Sequence, residues 1–161
     1  MIIFYWLLKL WCIIVLYCSE ISQNFPSSLK KARTESLKSD HYQYKLGAAV
    51  VRNGKIISSG YNHLRKTNPQ IISIGRSNFK TVHAEMDCIF KLKNKELLKG
   101  ATIFVYREKK DGTLGCARPC PICFNFLSFY GIKKIIYSTD TGFFSEYIYG
   151  GRKGEVEEFF L

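Results

Sequence analysis

Short apolar, β-branched runs alternate along this chain with segments in which apolar residues return at helical spacing, and turn residues separate the two kinds. Leu46 to Arg52 (LGAAVVR) and Lys55 to Gly60 (KIISSG) flank Asn53-Gly54, a pair that accepts the positive φ angles of a two-residue turn, so this stretch predicts a β-hairpin. Ala101 to Arg107 (ATIFVYR) is β-branched and aromatic and precedes the turn Asp111-Gly112, which predicts a third strand. Lys133 to Tyr137 predicts a fourth strand and Phe144 to Tyr149 a fifth. Only about six residues link these two, enough for an antiparallel return and too few for the dozen or more of a parallel crossover.

Helical signals fill the spaces between. Ser27 to Ser39, behind Pro26, is rich in Leu, Lys, Ala and Glu and predicts a first helix. Val82, Met86, Ile89 and Phe90 share one helical face and predict a second, with Gly100 closing the stretch behind it. Cys120 to Tyr130 predicts a third, ending at Gly131. The expected class is α/β, with helices covering a mixed five-stranded sheet. The acidic, apolar tail Glu155 to Leu161 carries no functional signal.

With 161 residues the chain has room for one domain of ordinary size, and its first residues stand apart from the pattern above. Ile2 to Cys18 is almost wholly apolar, interrupted only by Lys9. That is slightly short of the ~20 residues of a membrane span, and no basic leader of a signal peptide precedes it. Residues 1–24 are read as a membrane anchor, a misassigned start or a buried apolar tail, and residues 25–161 as the folded domain. As an anchor, its flanking positives Lys30, Lys31 and Arg33 would leave the domain facing the cytosol, so a cytoplasmic setting is expected, free or anchored.

Charge and cysteine content narrow the chemistry. Lys and Arg total 24 against 13 Asp and Glu, a formal charge of +11. From Lys30 to Lys66 nine basic residues face two acidic ones, so the excess lies around the predicted hairpin. Such a surface favours phosphate-bearing partners, although a solvated basic face has the same composition. Six cysteines stand at 12, 18, 88, 116, 120 and 123, three of them within eight residues, a spacing unlike a disulfide framework and more like metal binding.

The segments Thr81-Val82-His83-Ala84-Glu85 and Arg118-Pro119-Cys120-Pro121-Ile122-Cys123 each open a predicted helix. Cys120 and Cys123 share one face of a helical turn, and Pro121 suits that first turn, where its missing N–H is no loss. His83 and Glu85 are two residues apart, about 200° around a regular helix. They can converge only on something above the helix N-terminus, toward which side chains tilt. One imidazole and two thiolates leave a tetrahedral zinc with a fourth position for water, whose pKa the ion lowers toward neutrality. Glu85, if not a ligand, can take that water's proton and pass it on to a substrate.

His-x-Glu followed by Pro-Cys-x-x-Cys resembles the signature of the zinc nucleobase deaminases, and from about Ser27 to Tyr149 the chain is similar to the cytidine and deoxycytidylate deaminase superfamily. The resemblance implies a three-layer cytidine-deaminase-like fold and a zinc held by His83, Cys120 and Cys123, with Glu85 as acid and base. It implies a hydrolase that converts a cytosine nucleotide or nucleoside to the uracil form with release of ammonia. It also implies that Ala48 admits the base and that Asn62 contacts the sugar; the plainer roles are tight strand packing and a turn residue. The short link to the last strand looks like nucleoside deaminases, whereas Gly60-Tyr61-Asn62 and Thr67-Asn68-Pro69 look like the nucleotide branch. Arg65 and Lys66 follow Asn62 closely enough to reach a phosphate, which favours CMP or dCMP, a small-molecule partner, over nucleoside or single-stranded nucleic acid.

Three other readings stand beside this one. Cys116, four residues before Cys120, would as a fourth ligand close the site into structural zinc, though Glu85 then has no task. The same domain could act on bases of single-stranded or transfer RNA or DNA. It could also be an inactive fold tethered at a membrane for interaction. Cys88, one turn down the second helix, reads as a core thiol.

Overall fold

The computed structural model describes residues 26–64 and 81–148, and the backbone alone of 149 and 152–159. In it β1 (Leu46–Arg52) and β2 (Lys55–Tyr61) form the expected hairpin, turning through Asn53 at φ 49° and Gly54 at φ 72°. Both values lie in the left-handed region that an Asn-Gly turn requires. β3 (Thr102–Arg107) pairs antiparallel with β1, β4 (Lys134–Ser138) runs parallel to β3, and β5 (Phe143–Tyr149) returns antiparallel to β4. These strands make the mixed five-stranded sheet, in the order β2-β1-β3-β4-β5. A sixth strand, β6 (Arg152–Phe159), extends it by pairing antiparallel with β5. Its sequence, RKGEVEEF, has no apolar run of strand type, so the open edge of β5 supplies what the sequence lacks.

Pleating sends alternate residues of one strand to opposite layers. On one face α1 (Ser27–Ser36) packs Leu29 and Ala32 with Ala49, Tyr106 and Phe143. On the other, α2 (Ala84–Lys91) and α3 (Pro121–Phe129) pack Cys88, Ile89, Phe124 and Leu127 with Ala48, Val50, Ile103, Val105 and Ile135. The result is helix, sheet and helices in three layers. Glu35, buried at the end of α1, accepts from Lys31, Lys38 and Ser59. Burial would push its carboxyl up, but these donors hold it at about 2.

Two glycines let the helices rest directly on the hairpin. A methyl group at Gly47 would sit 2.0 Å from the Ala32 carbonyl oxygen of α1, and one at Gly60 would sit 2.7 Å from the Cys88 nitrogen of α2. Since the Gly60 clash is partly with backbone, α2 itself must move to relieve it. Gly60→Ala is expected to destabilise by about 1–3 kcal/mol through overpacking. A fall in the urea midpoint at constant m would report this, and an unchanged midpoint would show that α2 does not seat on Gly60.

The second helix starts later than its apolar spacing predicts. Val82 is not helical; it forms an antiparallel bridge with His63, with N···O distances of 2.8 and 3.0 Å. Among the described residues no helix is long and apolar enough to cross a membrane, and the apolar stretch Ile2 to Cys18 lies outside them.

Candidate active site

Two helix N-termini meet at the site. His83 precedes α2 with extended backbone (φ −75°, ψ 155°), and Cys120 precedes α3 in the same way (φ −65°, ψ 163°), with Pro121 in the first turn. Because His83 lies outside the helix proper, the angular separation of a regular helix does not apply to it. His83 and Glu85 therefore line the same pocket.

His83 Nδ1 lies 3.3 Å from Cys123 Sγ and 3.7 Å from Cys120 Sγ, and the three donor atoms fall within 4.8 Å of one another. Zinc bonds of about 2.0–2.3 Å separate tetrahedral ligands by about 3.3–3.8 Å, so this donor set fits the ion. The thiols already differ in character. Hydrogen bonds with Cys123 and His83 hold Cys120 down at about 3, while its proximity and burial push Cys123 well up. His83 is raised, chiefly by its hydrogen bond with Cys120. Cys116 is exposed and outside this cluster; its carbonyl accepts from Arg107. Cys88 is fully buried, its thiol donating to the Ala48 carbonyl, which agrees with a core thiol.

Glu85 is 3% exposed, and its Oε2 has no hydrogen-bond partner among the described residues. Burial raises its carboxyl, opposed by the charge of His83. An unsatisfied buried polar group costs about 1–3 kcal/mol, which makes this oxygen a place for a polar partner in the pocket.

The pocket has a volume of about 250 Å³, and Tyr44, Leu46, Asn62, Thr81 and Arg118 also line it. Asn62 does more than turn the chain. Its Oδ1 accepts from the Leu46 N–H at 2.8 Å and its Nδ2 donates to the Tyr44 carbonyl at 2.6 Å, bracing the segment that enters β1. Ala48 is fully buried in the core and is not among the lining residues. Arg65 and Lys66, with Thr67, Asn68 and Pro69, lie outside the described residues.

Sequence reasoning passed over His41, Tyr44 and Arg118, all in the pocket wall. His41 and Tyr44 stand before β1 where no motif marks them; their ring centroids lie 5.5 Å apart, and the Arg107 guanidinium sits 4.5 Å over Tyr44. Arg118 was visible beside Cys120, but its partner Glu146, 28 residues on, was not.

The fold and the site define an α/β metal-binding enzyme whose ligands gather at two helix N-termini. The family model for the cytidine and deoxycytidylate deaminase zinc-binding region matches residues 20–139, and the chain belongs to this family of hydrolytic deaminases. Zinc is the family's metal, and His83, Cys120 and Cys123 are positioned to bind it. The chain is similar to the deoxycytidylate deaminase of Mycobacterium phage D29, 26% identical over 126 residues that cover 68% of this chain and 90% of that protein. It is also similar to the deoxycytidylate deaminase of Enterobacteria phage T2, 26% identical over 138 residues, 58% of this chain and 68% of that one. Among solved structures, the dCMP deaminase of cyanophage S-TIM5 in complex with dCMP and dUMP shares 27% identity and a TM-score of 0.50, covering 68% of this chain and 76% of that one.

Proposed function

We propose that this protein deaminates a free cytosine mononucleotide, dCMP or CMP, with water as the second substrate and the uracil nucleotide and ammonia as products. One observation carries the reading: the three converging donors of His83, Cys120 and Cys123 share a pocket with the buried Glu85 carboxyl, whose Oε2 has no hydrogen-bond partner among the described residues. The relatives named for deoxycytidylate support the substrate class. A volume of about 250 Å³, just under the ~300–1,000 Å³ of ordinary small-molecule sites, suits one base with its sugar.

Zinc, when bound, supplies a Lewis acid that brings the ionisation of water toward neutral pH. Glu85 takes a proton from the attacking water and delivers it to the ring nitrogen beside the amine-bearing carbon. Carbon–oxygen bond formation precedes cleavage of the carbon–nitrogen bond, and the second proton passes through Glu85 to the departing amine. Burial favours this exchange by bringing the carboxyl nearer to neutral pH. Asn62 holds the Tyr44–Leu46 wall and keeps unused amide capacity for the sugar. Ala48 contributes a small side chain to the packing beneath that wall. Arg65 and Lys66 are assigned to the phosphate on their sequence position and charge.

Ammonia release from cytidine, dCMP and a cytosine-containing oligonucleotide, measured across a salt series, tests the reading. dCMP is expected to be preferred with weak salt dependence. Single-strand binding weakens with a log–log slope of about −0.7 per neutralised phosphate, so steeply salt-sensitive preference for the oligonucleotide would replace a mononucleotide enzyme with a polynucleotide one.

A further inference from the structure

Arg118 lines the pocket, two residues before Cys120, and donates through Nε to Glu146 Oε1 at 2.7 Å. Its side chain is 42% exposed, while that of Glu146, on β5, is 2% exposed. Tyr137, on β4, donates its hydroxyl to the same carboxylate oxygen, also at 2.7 Å. Two strands behind the site thus hold one arginine in one orientation.

Stability alone is a poor reason for this arrangement. Withdrawing a carboxylate from water costs several kcal/mol, and an ion pair recovers that only in part, so an apolar pair of equal volume would serve packing as well. What the pair adds is direction. A guanidinium has five N–H donors, and Nε uses one on Glu146. The four on the terminal nitrogens have no partner among the described residues, and they form the end-on fork that matches two oxygens of a phosphate. Among the described lining residues Arg118 is also the one with a permanent positive charge.

We propose that Arg118 is a specificity-determining residue that binds the phosphate of the nucleotide, and that Glu146, fixed by Tyr137, is its positioning residue. The proposal rests on the mononucleotide reading above, and it moves the main phosphate contact from Arg65 and Lys66 to the segment before Cys120. Arginine is needed here rather than lysine, because a point charge cannot keep the Nε bond to Glu146 and present a fork at once.

The test is equilibrium binding of dUMP and of deoxyuridine to the full zinc-loaded chain by calorimetry, read as the ratio of the two dissociation constants. Wild type is expected to favour dUMP by about 10–100-fold, the range of charge-assisted hydrogen bonds. Arg118→Gln should bring the ratio close to one, and Glu146→Gln should lower it several-fold while Arg118 is retained. Because Arg118→Gln removes one charge partner of the buried Glu146, Arg118→Gln/Glu146→Gln is measured beside it and should also bring the ratio close to one. A role confined to bracing the Cys120 segment would weaken both ligands equally and leave the ratio unmoved. A ratio preserved in both Arg118 variants, or near one in wild type, overturns the proposal. Wild type that favours dUMP yet releases no ammonia from dCMP would sink the deaminase reading and leave the phosphate site standing.

Discussion

Glu85→Gln is expected to lower turnover by about 10²–10⁴-fold while zinc content and fold stay at their wild-type values. Glutamine keeps the shape of the side chain, so the packing around this 3%-exposed position is undisturbed. It removes the ability to accept a proton and release it again, which is the whole of the proposed role. The carboxyl it replaces has an oxygen with no partner among the described residues, so the substitution takes away no hydrogen bond from that atom. Its urea midpoint should therefore stay close to that of wild type. Ammonia release, elemental analysis and urea unfolding on the same preparation separate these effects. Near-normal turnover would remove Glu85 from the mechanism, and loss of zinc would make it a ligand.

Loss of metal is the second large effect. Cys120→Ser, Cys123→Ser and His83→Ala each take one donor from a cluster whose atoms lie within 4.8 Å of one another. A serine hydroxyl is a far poorer zinc ligand than a thiolate, and structural zinc sites bind with about 10–16 kcal/mol in all, so one lost thiolate weakens binding by orders of magnitude. Cys123→Ser should also destabilise the protein, since it puts a hydroxyl where Cys123 packs buried with Val82 and Met86. Cys116→Ser is the control. Its sulfur lies outside the cluster on an exposed residue, and zinc content is expected to match wild type. If Cys116→Ser lost zinc as readily as Cys120→Ser, a closed structural site with four ligands would displace the open one.

The donors of this site were legible in the chain because each carries its signal locally. His-x-Glu and Pro-Cys-x-x-Cys each sit at a helix start, where a few neighbouring residues decide the backbone. The angular conflict between His83 and Glu85 on a regular helix was also legible, but its resolution was not. The bridge between Val82 and His63 keeps His83 extended, and that bridge joins segments well apart in the sequence. The pocket wall was legible only in part. Asn62 was a candidate for the sugar, and half of its amide's hydrogen-bonding capacity is engaged by Tyr44 and Leu46, residues some 16–18 positions upstream.

By itself the sequence determined the five strands, the antiparallel return to β5, the three helices to within a few residues and the donor set, because periodicity, turn chemistry and motif spacing act over a few neighbouring residues. Only the tertiary structure decided what depends on partners far along the chain. Gly60 matters through Cys88 on α2, and Arg118 gains a direction through Glu146 and Tyr137. A hydrogen bond or a van der Waals contact needs both members in place, and one sequence read residue by residue shows each member without the other.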